Sequence, residues 1–265
     1  MSEQTGPADI AKRPVVFRLP GMDAVEVRQD LEYRPGSSAL TMDVYRPPGA
    51  EAERLPVVVL VAGYPDPGLA AVFGCRFKEM AQSVSWGQLI AASGMAAIAY
   101  TNEDPAADLH ALLAHLRENG DALGIDARRI ALWASSGNVP LALSVGMAGD
   151  LRCAVLCNGL MLDLDGATRV SEASAQFGFA NPTAGKSVDD LPADLSLFLV
   201  RSGQDEIPGL NDTIDAFVAR ASTRGLPLTL VNHTQAPHAF DINHDGETSR
   251  EIIRQILAFL RSELL

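Results

Sequence analysis

The chain has 265 residues, of which 47% are hydrophobic and 20% charged, and its 33 acidic residues against 21 Lys plus Arg leave a formal net charge of −12. One soluble globular domain spanning 1–265 is the expectation, since a single α/β domain of this length is ordinary. The composition excludes wholesale disorder, collagen-like sequence and a coiled coil, and an acidic chain without any Lys/Arg run argues against nucleic acid as a partner.

The start, Met1-Ser-Glu-Gln-Thr-Gly-Pro7, lacks the basic opening and apolar core of a secretory signal, and no stretch approaches the roughly 18 apolar residues of a membrane span. The expectation is a cytoplasmic protein without a membrane partner; a homodimer is compatible with the sequence. Cys75, Cys153 and Cys157 are too few and too irregularly spaced for a disulfide framework or a zinc site, so no metal is expected.

Along the chain, an N-terminal extension (1–23) precedes two segments suited to strands, Ala24–Arg34 and Leu40–Arg46. The turn residues Pro35-Gly36-Ser37-Ser38 between them favour an antiparallel hairpin. Pro56–Ala62 is almost wholly apolar, as strands buried on both faces of a parallel sheet are. Gly63-Tyr64-Pro65-Asp66-Pro67-Gly68 then turns the chain, and a helical stretch ending near Ala92 leads to a buried strand, Met95–Tyr100. Asp104-Pro105 sets a cap before a first-turn proline, and Leu109, Leu112, Leu113 and Leu116 recur at helical spacing. That helix stops around Gly120 and Gly124.

Arg129–Trp133 reads as a third buried strand, Gly137–Met147 as a helix and Arg152–Leu156 as a fourth strand. Residues 159–192 have no clear period and read as a loop-rich insertion or small cap. Strand Leu195–Arg201, a helix with Ile214, Phe217, Val218 and Ala221 on one face, and strand Leu228–Asn232 follow. The last helix opens at Ser249 as N-cap and buries Ile253, Ile256, Leu257, Leu260 and Leu264. Strands alternating with amphipathic helices predict a mostly parallel sheet covered on both faces.

The junction Trp133-Ala-Ser-Ser-Gly-Asn138 passes from a buried strand into a helix through small residues. Such a turn lifts one side chain above the sheet, while the helix N-terminus directs free N–H groups toward developing negative charge. Here the sequence resembles the α/β-hydrolase family, whose nucleophile elbow reads Gly-x-Ser-x-Gly. The motif aligns as Ala134-Ser135-Ser136-Gly137-Asn138 and puts Ser136 at the nucleophile position, with both motif glycines replaced. Ser135 is the rival, although Trp133 would then crowd the turn; a Ser-Ser-Gly helix cap without chemistry is the plain alternative.

The resemblance implies an acid and a histidine after the serine, in that order. Strand Leu195–Arg201 ends in Ser202-Gly203-Gln204-Asp205-Glu206, which looks like the family's acid turn with Asp205 as acid and Glu206 as substitute. Gln235-Ala-Pro-His238-Ala-Phe-Asp241 resembles the histidine loop of dienelactone hydrolases and related esterases, with His238 as base. His233 and His244 are its rivals, and His110 and His115 read as helix-surface residues. The resemblance further implies an oxyanion hole from the N–H groups of Gly137 and Tyr64, and Tyr64, Trp86, Phe177 and Phe179 are expected around the acyl pocket.

Asp241-Ile-Asn243-His-Asp245-Gly246 opens like a calcium loop, but Ile252 stands where a bidentate Glu is required; it reads instead as a solvated turn. No phosphate loop or dinucleotide fingerprint appears, so no cofactor is expected. A small-molecule ester is the substrate the resemblance implies, cleaved by a serine esterase. A peptidase or acyl-aminoacyl hydrolase using the same triad, or a non-catalytic ligand-binding homologue, remains open.

Overall fold

The computed structural model describes residues 6–36, 40–50 and 53–265; Ser37 and Ser38 of the expected hairpin turn lie outside them. Among the described residues, eight strands form one sheet in the order β1-β2-β4-β3-β5-β6-β7-β8. The strands are β1 (Glu26–Arg34), β2 (Leu40–Arg46), β3 (Leu55–Leu60), β4 (Ala96–Tyr100), β5 (Ile125–Ser135), β6 (Cys153–Cys157), β7 (Ser196–Ser202) and β8 (Leu228–His233). β1 pairs antiparallel with β2, and β2 antiparallel with β4. From β4 onward every pairing is parallel. The helices are α1 (Pro7–Ile10), α2 (Asp66–Phe73), α3 (Ala81–Ala92), α4 (Pro105–Leu123), α5 (Val139–Gly146), α6 (Arg169–Phe177), α7 (Leu210–Arg224), α8 (Phe240–Asn243) and α9 (Glu247–Leu264).

Burial follows the apolar runs. Val57 to Ala62, Ala96 to Tyr100 and Ile130 to Ala134 are almost wholly inaccessible because helices cover both faces of the central strands. β5 begins earlier than expected because Asp126, Arg128 and Arg129 are polar and hide its first turn of pairing, where the register against β3 shifts between Leu55 and Val57. Helix α4 follows the expected signals: Asp104 accepts from the Ala107 N–H at 3.2 Å, and Gly124 closes the helix at φ +66°.

Four expectations are corrected. Pro65–Gly68 does more than turn: α2 starts there, with proline in its first turn and the buried Asp66 carboxylate accepting the N–H groups of Phe77 and Asn102. Burial raises the Asp66 pKa. The insertion contains helix α6, whose first N–H groups, from Val170 and Ser171, are satisfied by Asp163 across a turn rather than by an adjacent cap. Ser249 does not cap α9, which opens at Gly246; Ser249 lies in its first turns, completely buried. Asp241 is not solvated either: it is 1% exposed in the short helix α8, and Trp86 Nε1 and Gln82 Nε2 donate to its Oδ2 at 2.8 and 2.7 Å. Its burial raises its pKa.

From residue 6 onward, the expected extension is tied to the rest of the protein. Ala81 N donates to Ala11 O, Val16 N donates to Asp241 O at 2.8 Å, and Phe17 packs under the Arg254 guanidinium. The three cysteines are free; Cys153 and Cys157 are buried, and burial pushes both thiols up. Among the described residues no helix is long and apolar enough to cross a membrane.

Candidate active site

The carboxyl ends of β3, β5, β7 and β8 converge on one constellation. β5 ends at Ser135, and Ser136 opens a tight turn (Ser136–Asn138) that runs into α5. Ser136 has φ +57°, a left-handed conformation that non-glycine residues adopt only under strain. This turn raises its side chain off the sheet. Ser135, by contrast, is an extended, buried strand residue paired with Cys157.

Ser136 Oγ lies 2.9 Å from His238 Nε2, and His238 Nδ1 lies 2.6 Å from Asp205 Oδ2. The Asp205 side chain is fully buried and its Oδ1 accepts the Ile207 N–H at 3.1 Å. That leaves the second oxygen for the imidazole. Glu206 points to solvent, as its exposure shows. His233 is buried at the end of β8 and hydrogen-bonds Ser249, His110 is exposed, and His115 contacts Asn119 on α4. Of the five histidines in the chain, only His238 reaches Ser136.

The loop after β3 passes beside the elbow. A Cβ at Gly63 would lie 2.9 Å from Asn138 Cα, so the approach of the two backbones requires glycine. The Gly63 N–H donates to Asn138 Oδ1 at 2.7 Å. This bond accounts for asparagine at the second motif glycine: its side chain locks the loop after β3 to the turn Ser136–Asn138. The N–H groups of Tyr64 and Gly137 donate to no acceptor among the described residues, which leaves both free for a ligand oxygen.

Replacing Asn138 with glycine restores the family motif yet removes the lock. The expected result is a kcat reduced about tenfold or more, within the range for impairing one oxyanion donor, with little change in melting temperature. Unchanged turnover of a p-nitrophenyl ester by this variant would show that the bond has no part in positioning Tyr64 N–H.

Above the elbow, Tyr64 and Phe179 meet edge to face with ring centroids 5.7 Å apart. A Cβ at Gly137 would fall 2.3 Å from the Tyr64 hydroxyl and 2.7 Å from Phe179 Cδ1, so both rings press on this residue. Burial pushes the pKa of the Tyr64 hydroxyl up to about 12. Phe179 is held from both sides: Ser174 Oγ donates to its carbonyl at 2.7 Å, and the next residue, Ala180, donates its N–H to Gly63 O at 2.8 Å. Among the described residues no group of three or more His, Cys, Asp and Glu side chains is arranged to hold a metal.

No family model matches the sequence, and no curated protein matches it. Solved structures do. A thermostable esterase from Pseudomonas putida aligns over 95% of this chain and 86% of its own, with TM-score 0.71 at 15% identity. One of two fungal esterases from Rhizomucor miehei aligns over 97% and 86%, with TM-score 0.69 at 18% identity. A hyperthermophilic esterase from the archaeon Pyrobaculum calidifontis aligns over 97% of this chain and 88% of its own, with TM-score 0.66 at 20% identity. The chain has the α/β-hydrolase fold.

Within the α/β-hydrolase fold the four aromatics expected at the pocket separate. Tyr64 and Phe179 stand over the elbow, whereas Trp86 belongs to the core: it has no exposed surface, stacks 4.9 Å from Trp133 and bonds Asp241. Its position on α3, beneath the loop rather than above the strand ends, explains the difference. Phe177, at the end of α6, is half-exposed. Asn138 and Ser249 carry no motif that would have revealed their bonds; each depends on a partner distant in sequence.

Proposed function

We propose that this protein is a serine hydrolase that cleaves small carboxylic esters through an acyl-enzyme. The observation that carries this reading is the hydrogen-bonded chain from Ser136 through His238 to the buried Asp205. His238 Nε2 accepts the Ser136 proton as Oγ attacks the ester carbonyl, and Asp205 holds the imidazole with Nδ1 protonated. The carbonyl oxygen becomes an anion facing the Tyr64 and Gly137 N–H groups. His238 then returns its proton to the departing alkoxide, leaving the acyl group on Ser136. Water activated by the same imidazole releases the acid. That three structurally similar proteins are described as esterases supports the ester as substrate class.

A serine at the elbow separates this chain from dienelactone hydrolases proper, which use cysteine, and favours ordinary ester cleavage. The non-catalytic reading drew on the replaced glycines. Asn138 instead supports the oxyanion loop through its bond to Gly63. Covalent labelling of the wild-type protein by a fluorophosphonate, together with turnover of p-nitrophenyl esters, tests the proposal; a protein that folds but neither labels nor turns over refutes it.

Tyr64 and Phe179 restrict the acyl side. With both rings pressed on Gly137, a short acyl group fits beside Ser136 and each further methylene meets a fixed wall. Wild-type kcat/KM should therefore fall from p-nitrophenyl acetate to butyrate to octanoate. Phe179→Ala should reverse part of that trend, at about 1–3 kcal/mol of discrimination per methylene, while the core variant Trp86→Phe keeps the wild-type order. An octanoate preference in the wild type, or the same order in Phe179→Ala, would remove these rings from the acyl site.

A further inference from the structure

His238 occupies no regular element; it sits in residues 234–239, between β8 and α8. The residue after it, Ala239, has φ +52°, a conformation that costs a non-glycine residue about 1–3 kcal/mol and persists only where surrounding contacts enforce it. Those contacts approach from both ends of the loop. On the far side, Asn243 Nδ2 donates to His238 O at 3.0 Å, and Asp241 is fastened to α3 through Trp86 and Gln82.

On the near side, the backbone of His233 is a junction. Its carbonyl accepts the N–H of Gly203, from the turn that carries Asp205, at 2.9 Å and the N–H of Ala236, from the loop that carries His238, at 3.1 Å. Gln204 N–H to Ala236 O, at 2.9 Å, joins the same two segments again. Displacing His233 therefore displaces the acid turn and the base loop together.

The side chains at the two ends of this region meet at one buried hydroxyl. Ser249 Oγ lies 3.0 Å from His233 Nε2 and 2.8 Å from His244 Nδ1, and the two imidazoles pack perpendicular at 4.8 Å. Ser249 has no exposed surface and His233 is 3% exposed. A hydroxyl has one proton and two lone pairs, so it donates to one neutral imidazole and accepts from the other, satisfying both at once. We propose, on the serine-hydrolase reading above, that Ser249 is a positioning residue: through His233, which ends β8, and His244, which follows α8, it clamps the segment that carries His238 to α9 at both ends and keeps His238 aligned between Ser136 and Asp205.

The clamp predicts a defect in chemistry rather than in binding. Ser249→Ala leaves two imidazole nitrogens without a partner, and a catalytic base displaced by a fraction of an ångström loses roughly tenfold to a hundredfold in kcat. KM for p-nitrophenyl acetate should stay within about twofold of wild type, since no substrate contact is removed. Ser249→Thr, which keeps the hydroxyl, should restore most of the rate. The downfield proton resonance of the His238–Asp205 hydrogen bond should shift or broaden in Ser249→Ala and return in Ser249→Thr. Should Ser249→Ala not fold, His244→Ala removes one arm of the clamp at a less buried position and should lower kcat in the same way.

Wild-type kcat and an unmoved resonance in folded Ser249→Ala or His244→Ala would overturn the proposal. So would a folded Ser249→Thr as slow as Ser249→Ala. The fluorophosphonate separates this from the parent reading. A wild-type protein that does not label defeats the hydrolase assignment itself, whereas Ser249→Ala labelling at the wild-type rate defeats only the clamp.

Discussion

Ser136→Ala is expected to lose ester turnover by on the order of 10⁶-fold in kcat, the scale set by nucleophile removal in other triad hydrolases. Fluorophosphonate labelling should disappear with it. The variant should fold, because the side chain that is shortened stands above the sheet and is only partly buried, so no core contact is lost. Melting temperature should change little. Alanine at φ +57° carries the same kind of backbone strain that serine already bears, and the bond to His238 is the one contact surrendered. Ser135→Ala is the control: Ser135 ends β5 opposite Cys157, and the hydroxyl that His238 bonds is that of Ser136. Labelling that survives in Ser136→Ala and vanishes in Ser135→Ala would move the nucleophile by one residue.

The central strands β3, β4 and β6 were legible because they are short apolar runs, which leave few alternatives once helices at 3.6-residue spacing lie between them. Asp205 and His238 were legible for a related reason. Each follows the carboxyl end of a strand that the apolar pattern locates, and the order of serine, acid and histidine that the family resemblance implies singles them out; the structure brings both within hydrogen-bond reach of one another and of Ser136. The features that escaped depend on contacts that no local pattern encodes. Asp163 caps α6 across seven residues, Asn138 reaches the loop after β3, and Ser249 finds two histidines rather than its own helix N-terminus. Asp241 misled for the opposite reason: a polar stretch of sequence is ordinarily solvated, and only α3 folding over it supplies the two donors that let a carboxylate be buried.

His238→Ala should be as slow as Ser136→Ala in kcat near neutral pH, but by a different route that the pH profile reveals. With the imidazole present, Nε2 accepts the proton from Oγ as the serine attacks. Without it Ser136 retains its hydroxyl but has no base within 2.9 Å, so proton removal falls to solvent hydroxide. The residual rate should then climb with hydroxide concentration. Asp205→Asn should fall between wild type and His238→Ala, since it keeps the imidazole while misassigning the proton on Nδ1, 2.6 Å away. His233→Ala separates base from support: it should reduce kcat through the Ser249 clamp, yet far less than His238→Ala does, because the base is still in place. Ester turnover that survives in His238→Ala, while His233→Ala is dead, would transfer the base to His233 and dissolve the triad as drawn.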